Sequence, residues 1–190
     1  ILKINEGLKN SGNKIIHDTN NLIDLAWIDK PKEKIKKFFL LDKKFHGLSF
    51  QQKLSKIKPK NNDLLLVTSP ESICWLLNIR GYDLNYTPIV FCRLIITKEK
   101  IEFFVNKNKI PDDFDTVYKN VITYDIKVFE KKLGSLKNET IRVDNEVSYF
   151  FKILLKKNNL IFQDDPCKIL KARKNKIEIK CSKDAHIHDG

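Results

Sequence analysis

The stretch Asp63-Leu64-Leu65-Leu66-Val67-Thr68 constrains this chain more than any other. An unbroken apolar run between polar ends leaves no face for water, so it predicts a short strand covered on both sides, the kind found inside α/β sheets. The next residues are equally directive. Ser69-Pro70 supplies an N-cap and a first-turn proline for a helix carrying Ile73, Trp75, Leu76 and Leu77, with Gly81 read as its stop. Ahead of the strand, Ser49 and Gln52 form a Ser-x-x-Gln capping box in front of Phe50, Leu54 and Ile57. Helix, buried strand and helix in immediate succession imply helices laid over a sheet.

The alternation continues downstream. Residues 88–97 and 101–106 are β-rich runs separated by Lys98-Glu99-Lys100, which predicts an antiparallel hairpin. A helix from Pro111, a strand over 121–125, and a helix carrying Ile126, Val128, Phe129 and Leu133 come next, then a strand over 140–143, a helix over 145–157 and a strand over 160–163. The expected class is α/β: a mixed β-sheet flanked by helices, occupying residues 42–165, with partial domains on either side. Residues 1–41 read as the end of a preceding domain plus a linker broken at Pro31, with Ile1, Ile4 and Leu8 at helical spacing before Gly12 and a strand over 14–17. Residues 166–190 read as two lysine-rich helices leading into a further domain. The amphipathic start and the lack of any methionine point to an internal piece of a longer protein.

Composition narrows the function classes. Hydrophobic residues make up 42% and charged residues 32%, which fits a folded globular chain. No run approaches the ~18 apolar residues of a membrane span. The net charge of +12 raises a basic α/β binding module for nucleic acid or an acidic partner as an alternative function. However, only four of the 36 basic residues are arginine, and the chain is equally rich in Asn and Ile and holds three alanines, the mark of A/T-rich codons spreading lysine over every exposed face. Nucleic acid is therefore disfavoured. Four scattered cysteines, Cys74, Cys92, Cys167 and Cys181, read as free thiols of a reducing, cytoplasmic setting.

Candidate chemistry is sparse. Asp184, His186, His188 and Asp189, with Cys181 nearby, contain ligand types suited to a transition metal, but His186 and His188 are two apart on a helix and do not share a face. No metal ligand is assigned. There is no Gly-x-Ser-x-Gly, and His17 and His46 flank the expected linker, so no catalytic residue is assigned either. Residues 101–105 lack the basic-glycine opening of an RNA-binding strand.

The most distinctive block is Trp75-Leu76-Leu77-Asn78-Ile79-Arg80-Gly81, followed by Asp83 and by Tyr86-Thr87-Pro88. It resembles the Trp-Leu-x-Asn-x-Arg-Gly, Asp and Tyr-Asn-Pro pattern of the aminopeptidase P group of the creatinase/prolidase family, with Thr87 where Asn is usual. Asn21-Leu22-Ile23-Asp24 through Trp27 to Asp29-Lys30-Pro31 is similar to that family's junction after its first domain. Lys171-Ala172-Arg173-Lys174-Asn175 and Ala185-His186-Ile187-His188-Asp189-Gly190 are similar to its lead-in to the catalytic domain. The resemblance implies a non-catalytic segment of a metalloaminopeptidase that acts on peptides with a penultimate proline, as a homodimer in the cytoplasm. It further implies that the two Mn ions, with their Asp, Asp, His, Glu and Glu ligands, belong to a catalytic domain downstream. Arg80, Asp83, Tyr86 and Pro88 are left with two readings: a turn tied together for structural reasons, or a loop facing the substrate cleft or a domain interface.

Overall fold

The computed structural model describes residues 7–8, 11, 22–29, 35–59 and 61–190. The chain divides into two compact units, residues 1–34 and 35–190. In the first unit the described residues include one short helix, α1 (Leu22–Ala26), extended by a hydrogen bond from Trp27 N to Ile23 O at 2.9 Å. The strand expected over 14–17 and most of the opening helix lie outside the described residues.

The second unit is built on a six-stranded mixed sheet. Its strands are β2 (Leu64–Val67), β4 (Cys92–Ile96), β5 (Ile101–Val105), β6 (Val121–Asp125), β7 (Thr140–Asp144) and β8 (Asn159–Gln163), in the order β6-β5-β4-β2-β7-β8. The hairpin β4–β5 and the β2–β4 pair are antiparallel, while β2–β7, β7–β8 and β5–β6 are parallel. The parallel pairs need crossover segments, and these carry the helices α5 (Phe114–Val117), α6 (Phe129–Ser135) and α7 (Tyr149–Leu154). A separate two-stranded ribbon pairs β1 (Phe39–Leu40) with β3 (Ile79–Arg80).

As the apolar run demanded, β2 is buried at every position, and its residues alternate between two cores. Leu65 and Val67 join one core with Leu94, Ile96, Phe103 and Val105, beneath α3 (Phe50–Ile57) and α4 (Pro70–Leu76). Leu64 and Leu66 join the other with Ile95, Phe104, Ile141 and Val143, covered by Phe129 and Leu133 of α6. Phe103 stacks on Phe114 at 5.6 Å on the first face, and Phe104 packs edge-on to Phe129 at 5.1 Å on the second. Burying each ring is worth roughly 1.5–3 kcal/mol relative to leaving it exposed.

Both capping signals operate: Ser49 and Gln52 form the reciprocal box, and Ser69 Oγ accepts from Ser72 N at 3.3 Å. Elsewhere the elements are shorter than expected. The helix expected over 145–157 is confined to α7, because Asn145 N bonds Gln163 O and Val147 N bonds Asp144 O in a turn, and Asn158 Nδ2 takes the carbonyl of Leu155. The strand expected from residue 88 begins at Cys92, since the carbonyls of Pro88 and Ile89 accept from Gly81 N and Asp83 N of the preceding loop. A one-turn helix, α2 (Lys43–His46), precedes α3, and α8 (Pro166–Ala172) and α9 (Lys176–Asp189) close the unit by packing on α4 and α2 respectively.

Candidate functional site

The Trp75–Pro88 block is a helix end, a ribbon and a projecting turn. Helix α4 stops because Asn78 adopts a left-handed conformation, φ 51°, a geometry Asn tolerates better than most residues. Its side chain makes the stop specific: Oδ1 accepts from the Lys53 ammonium and Nδ2 donates to Leu48 O at 3.0 Å. Lys53 also donates to Trp75 O at 2.7 Å, so a buried cation sits on the negative end of α4. Burial pushes the Lys53 ammonium down to about 8.

The stop assigned to Gly81 is thus corrected to Asn78. Gly81 is needed for another reason: a Cβ there would lie 2.4 Å from Val90 Cγ2 and 2.8 Å from Ile89 O, so only glycine lets the two limbs of the loop approach. Gly81 N bonds Pro88 O at 3.3 Å and Asp83 N bonds Ile89 O at 3.2 Å, closing the loop at its root.

Asp83 is the anchor. Its Oδ2 accepts from Phe91 N at 2.7 Å, and its Oδ1 meets Lys109 Nζ at 2.9 Å with both side chains almost wholly buried. Lys109 is the partner that sequence reasoning missed. It lies at the end of a 3-10 turn (Lys107–Lys109) after β5, far along the chain, and nothing in its local pattern marks it for burial.

At the tip, Leu84 and Thr87 bridge across Asn85 and Tyr86, and Tyr86 takes φ 62° with its ring fully exposed, at 105%. A left-handed third residue is the geometry of a type II turn. At the base, Arg80 Nη1 donates to Ile79 O at 2.8 Å and to Cys74 O at 3.2 Å. Arg80 and Pro88 line a cleft of about 310 Å³ whose other charged walls are Glu71, Lys171, Lys174 and Glu178. The Glu71 backbone N–H and the Ser69 hydroxyl hold the Glu71 carboxyl below the usual carboxylate range. Thus Arg80 and Pro88 face a cleft, Asp83 lies beneath the loop and Tyr86 stands clear of it.

With this geometry in place, residues 29–178 match the family model of the creatinase/prolidase N-terminal domain. The chain belongs to this family. Among curated relatives, it is 32% identical over 182 residues to a Xaa-Pro aminopeptidase of Drosophila melanogaster, covering 90% of this chain and 30% of the relative. It is 31% identical over 189 residues to Xaa-Pro aminopeptidase 1 of Dictyostelium discoideum, covering 93% and 30%. The fold matches that of X-prolyl aminopeptidase from Caenorhabditis elegans, a cytosolic enzyme with a di-nuclear active site, with a TM-score of 0.82, 23% identity, and coverage of 94% of this chain and 31% of that one. The chain therefore spans about 30% of the length of these relatives.

In this creatinase/prolidase N-terminal domain, no group of three or more His, Cys, Asp or Glu side chains is placed to hold a metal ion among the described residues. His186 and His188 are exposed on the last turns of α9. His46 ends α2, its Nδ1 is buried without a hydrogen-bond partner, and burial together with the Lys53 charge holds its imidazole below its ordinary value. His17 lies outside the described residues. Among the described residues, the side chains do not assemble a di-nuclear centre. The basic-module alternative gains no support from the family and relatives that the chain matches. Among the described residues no helix is long and apolar enough to cross a membrane.

Proposed function

We propose that this chain is the non-catalytic scaffold segment of a metal-dependent Xaa-Pro aminopeptidase, a class of enzyme that releases the N-terminal residue preceding a penultimate proline. The observation that carries the reading is the family match over residues 29–178 in a chain whose relatives are Xaa-Pro aminopeptidases about three times its length. Residues 1–41 then close a first domain, 42–165 form the second, and 166–190 lead into the metallopeptidase portion. That portion would hold two metal ions, Mn in this reading, and the chemistry they would supply is Lewis-acid assistance to peptide hydrolysis. The assembly is a cytoplasmic homodimer.

Within this scaffold the loop carrying Arg80, Asp83, Tyr86 and Pro88 borders the substrate cleft or the interface with the catalytic portion. Its construction supports that role: a buried ion pair fixes the root while an aromatic side chain in a strained conformation is presented to solvent. The test is peptide hydrolysis. In the full-length gene product with Mn²⁺, an Xaa-Pro peptide is cleaved, and Arg80→Ala and Tyr86→Ala raise KM or lower kcat. The 190-residue chain alone shows no hydrolysis. Cleavage by the isolated chain, or unchanged kinetics in both variants, rejects the corresponding half of the reading.

A further inference from the structure

The six-stranded sheet ends in β8 on one side and β6 on the other, and among the described residues each pairs only with its inner neighbour. On β8, the bonds from Asn159 N to Glu139 O and from Asn145 N to Gln163 O turn the backbone groups of Asn159 and Gln163 toward β7. The alternation of a strand carries Ile161 with them and points the N–H and C=O of Leu160 and Phe162 out of the sheet. Edge strands that stay single are usually blunted by a charge, a proline or a bulge. Asn159-Leu160-Ile161-Phe162-Gln163 has none of these: its register with β7 is unbroken, and Ile161 and Phe162 are 38% and 47% exposed. Lys152 lies over the Phe162 ring at 4.9 Å, but it comes from α7 on the face of the sheet.

We propose that β8 is a pairing edge for a second copy of this chain, laid antiparallel about a two-fold axis at Ile161, so that two sheets join into one. The flanks of the strand identify the occupant. Exposed Lys156 and Lys157 precede β8 and exposed Asp164 follows it, held beside the strand end by a hydrogen bond from Asn145 Nδ2 at 3.0 Å. An antiparallel copy brings the lysines of each chain alongside the other's Asp164, and opposite charges across paired strands are stabilising. About Ile161 the facing residues are Leu160 with Phe162, Ile161 with itself and Asn159 with Gln163, so apolar side chains meet apolar ones and amides meet amides. Leu160 and Phe162 are also the residues whose backbone groups point outward, and a slip of one residue would set outward groups against inward ones. The other edge lacks this match: folded about its middle residue, Thr123, β6 sets Lys119 against Lys127 and Val121 against Asp125. Pairing β8 with β6 of another copy would leave free edges and propagate, whereas β8 with β8 closes at two chains. A junction of one five-residue strand buries less than the roughly 1,600 Å² of a standard interface, so the dimer forms in a concentration-dependent way.

This inference concerns the 190-residue chain alone and stands or falls apart from the aminopeptidase reading. The experiment is sedimentation equilibrium of that chain at neutral pH and physiological ionic strength, from micromolar to submillimolar concentration. The expected mass rises from 22.3 kDa toward twice that value and stops there. Ile161→Lys, which sets two ammonium groups face to face on the axis, should stay at 22.3 kDa throughout. Lys157→Glu and Asp164→Lys should each weaken association roughly tenfold, because each touches two symmetry-related contacts, and the double swap should restore it. Cross-linking gives a second readout in a Cys181→Ser background, where the remaining cysteines are buried. Facing residues at the axis lie about 4.5 Å apart at Cα, within the reach of a disulfide. Mild oxidation should therefore link Ile161→Cys into a dimer and leave Gln163→Cys, which faces Asn159, monomeric. A mass constant at 22.3 kDa, growth beyond two copies, a dimer that survives Ile161→Lys, or a double swap that restores nothing overturns the proposal. If Ile161→Lys loses its native circular dichroism, the cross-linking pair decides.

Discussion

Two buried ammonium groups of this molecule are handled in opposite ways. Lys109, 2% exposed, meets the carboxylate of Asp83, and Lys53, 1% exposed, meets the Trp75 carbonyl and the Asn78 side-chain amide oxygen. The first arrangement joins distant segments: Lys109 O also accepts from Phe38 N at 2.9 Å, so the exit of β5, the root of the 81–89 loop and the approach to β1 converge on one residue. The second caps a single helix end. Opposite charges suit a junction that must hold a projecting loop in one place, whereas carbonyl dipoles suffice where a cation only terminates a helix.

Breaking the junction gives the largest expected effect. Asp83→Ala removes the carboxylate facing a buried ammonium and the acceptor for Phe91 N, and should cost ~3–5 kcal/mol in urea unfolding. A loss below about 1 kcal/mol would mean that water reaches Lys109 and that the pair does not anchor the loop. Gly81→Ala comes next. The clash with Ile89 O is with backbone and cannot be relieved by a rotamer change, so a loss of ~1–3 kcal/mol is expected. If this variant is as stable as the parent, the close approach of the loop limbs is not required.

Lys53 sharpens the contrast through pH. Its ammonium releases a proton near pH 8 in the fold and near 10.5 in the unfolded chain. Between those values the unfolded state binds more protons, so this residue makes stability rise with pH across that window. Lys53→Met at pH 7 should cost on the order of 1 kcal/mol, the lost donors being offset by removal of a buried charge. The gap between parent and variant should widen by ~1–2 kcal/mol as pH rises through that window. A constant gap would mean that Lys53 titrates alike in both states.

Much of this fold was legible because it rests on local rules. The apolar run at Leu64–Val67 gave a doubly covered strand, and Ser49 and Ser69 each gave a helix start. What escaped were the features fixed by partners far along the chain. Nothing near Lys109 announces Asp83, and nothing near Phe39 announces its pairing with Arg80 in the short ribbon. The helix stop was misplaced for a related reason: glycine is the commoner left-handed residue, and the Asn78 side chain is favoured only once Lys53 and Leu48 are in place around it. The block from Trp75 to Pro88 stood out as a pattern, but the separate tasks of its residues emerged only with the root, base and tip of the loop in view.

The smallest stability effect belongs at the tip, and it separates holding the loop from using it. Tyr86 is fully exposed and none of the loop's closing hydrogen bonds involves its ring, so Tyr86→Ala should change unfolding free energy by less than about 0.5 kcal/mol. Any Xaa-Pro hydrolysis by the full-length product should nevertheless fall, because a pinned loop that presents an aromatic ring to water leaves that ring available to a neighbouring surface. Tyr86→Phe, which keeps the ring, should restore activity if the contact is apolar and fail to do so if the phenol hydroxyl makes it. Unchanged activity in Tyr86→Ala alongside a destabilised Asp83→Ala would leave the loop as a structural tie alone.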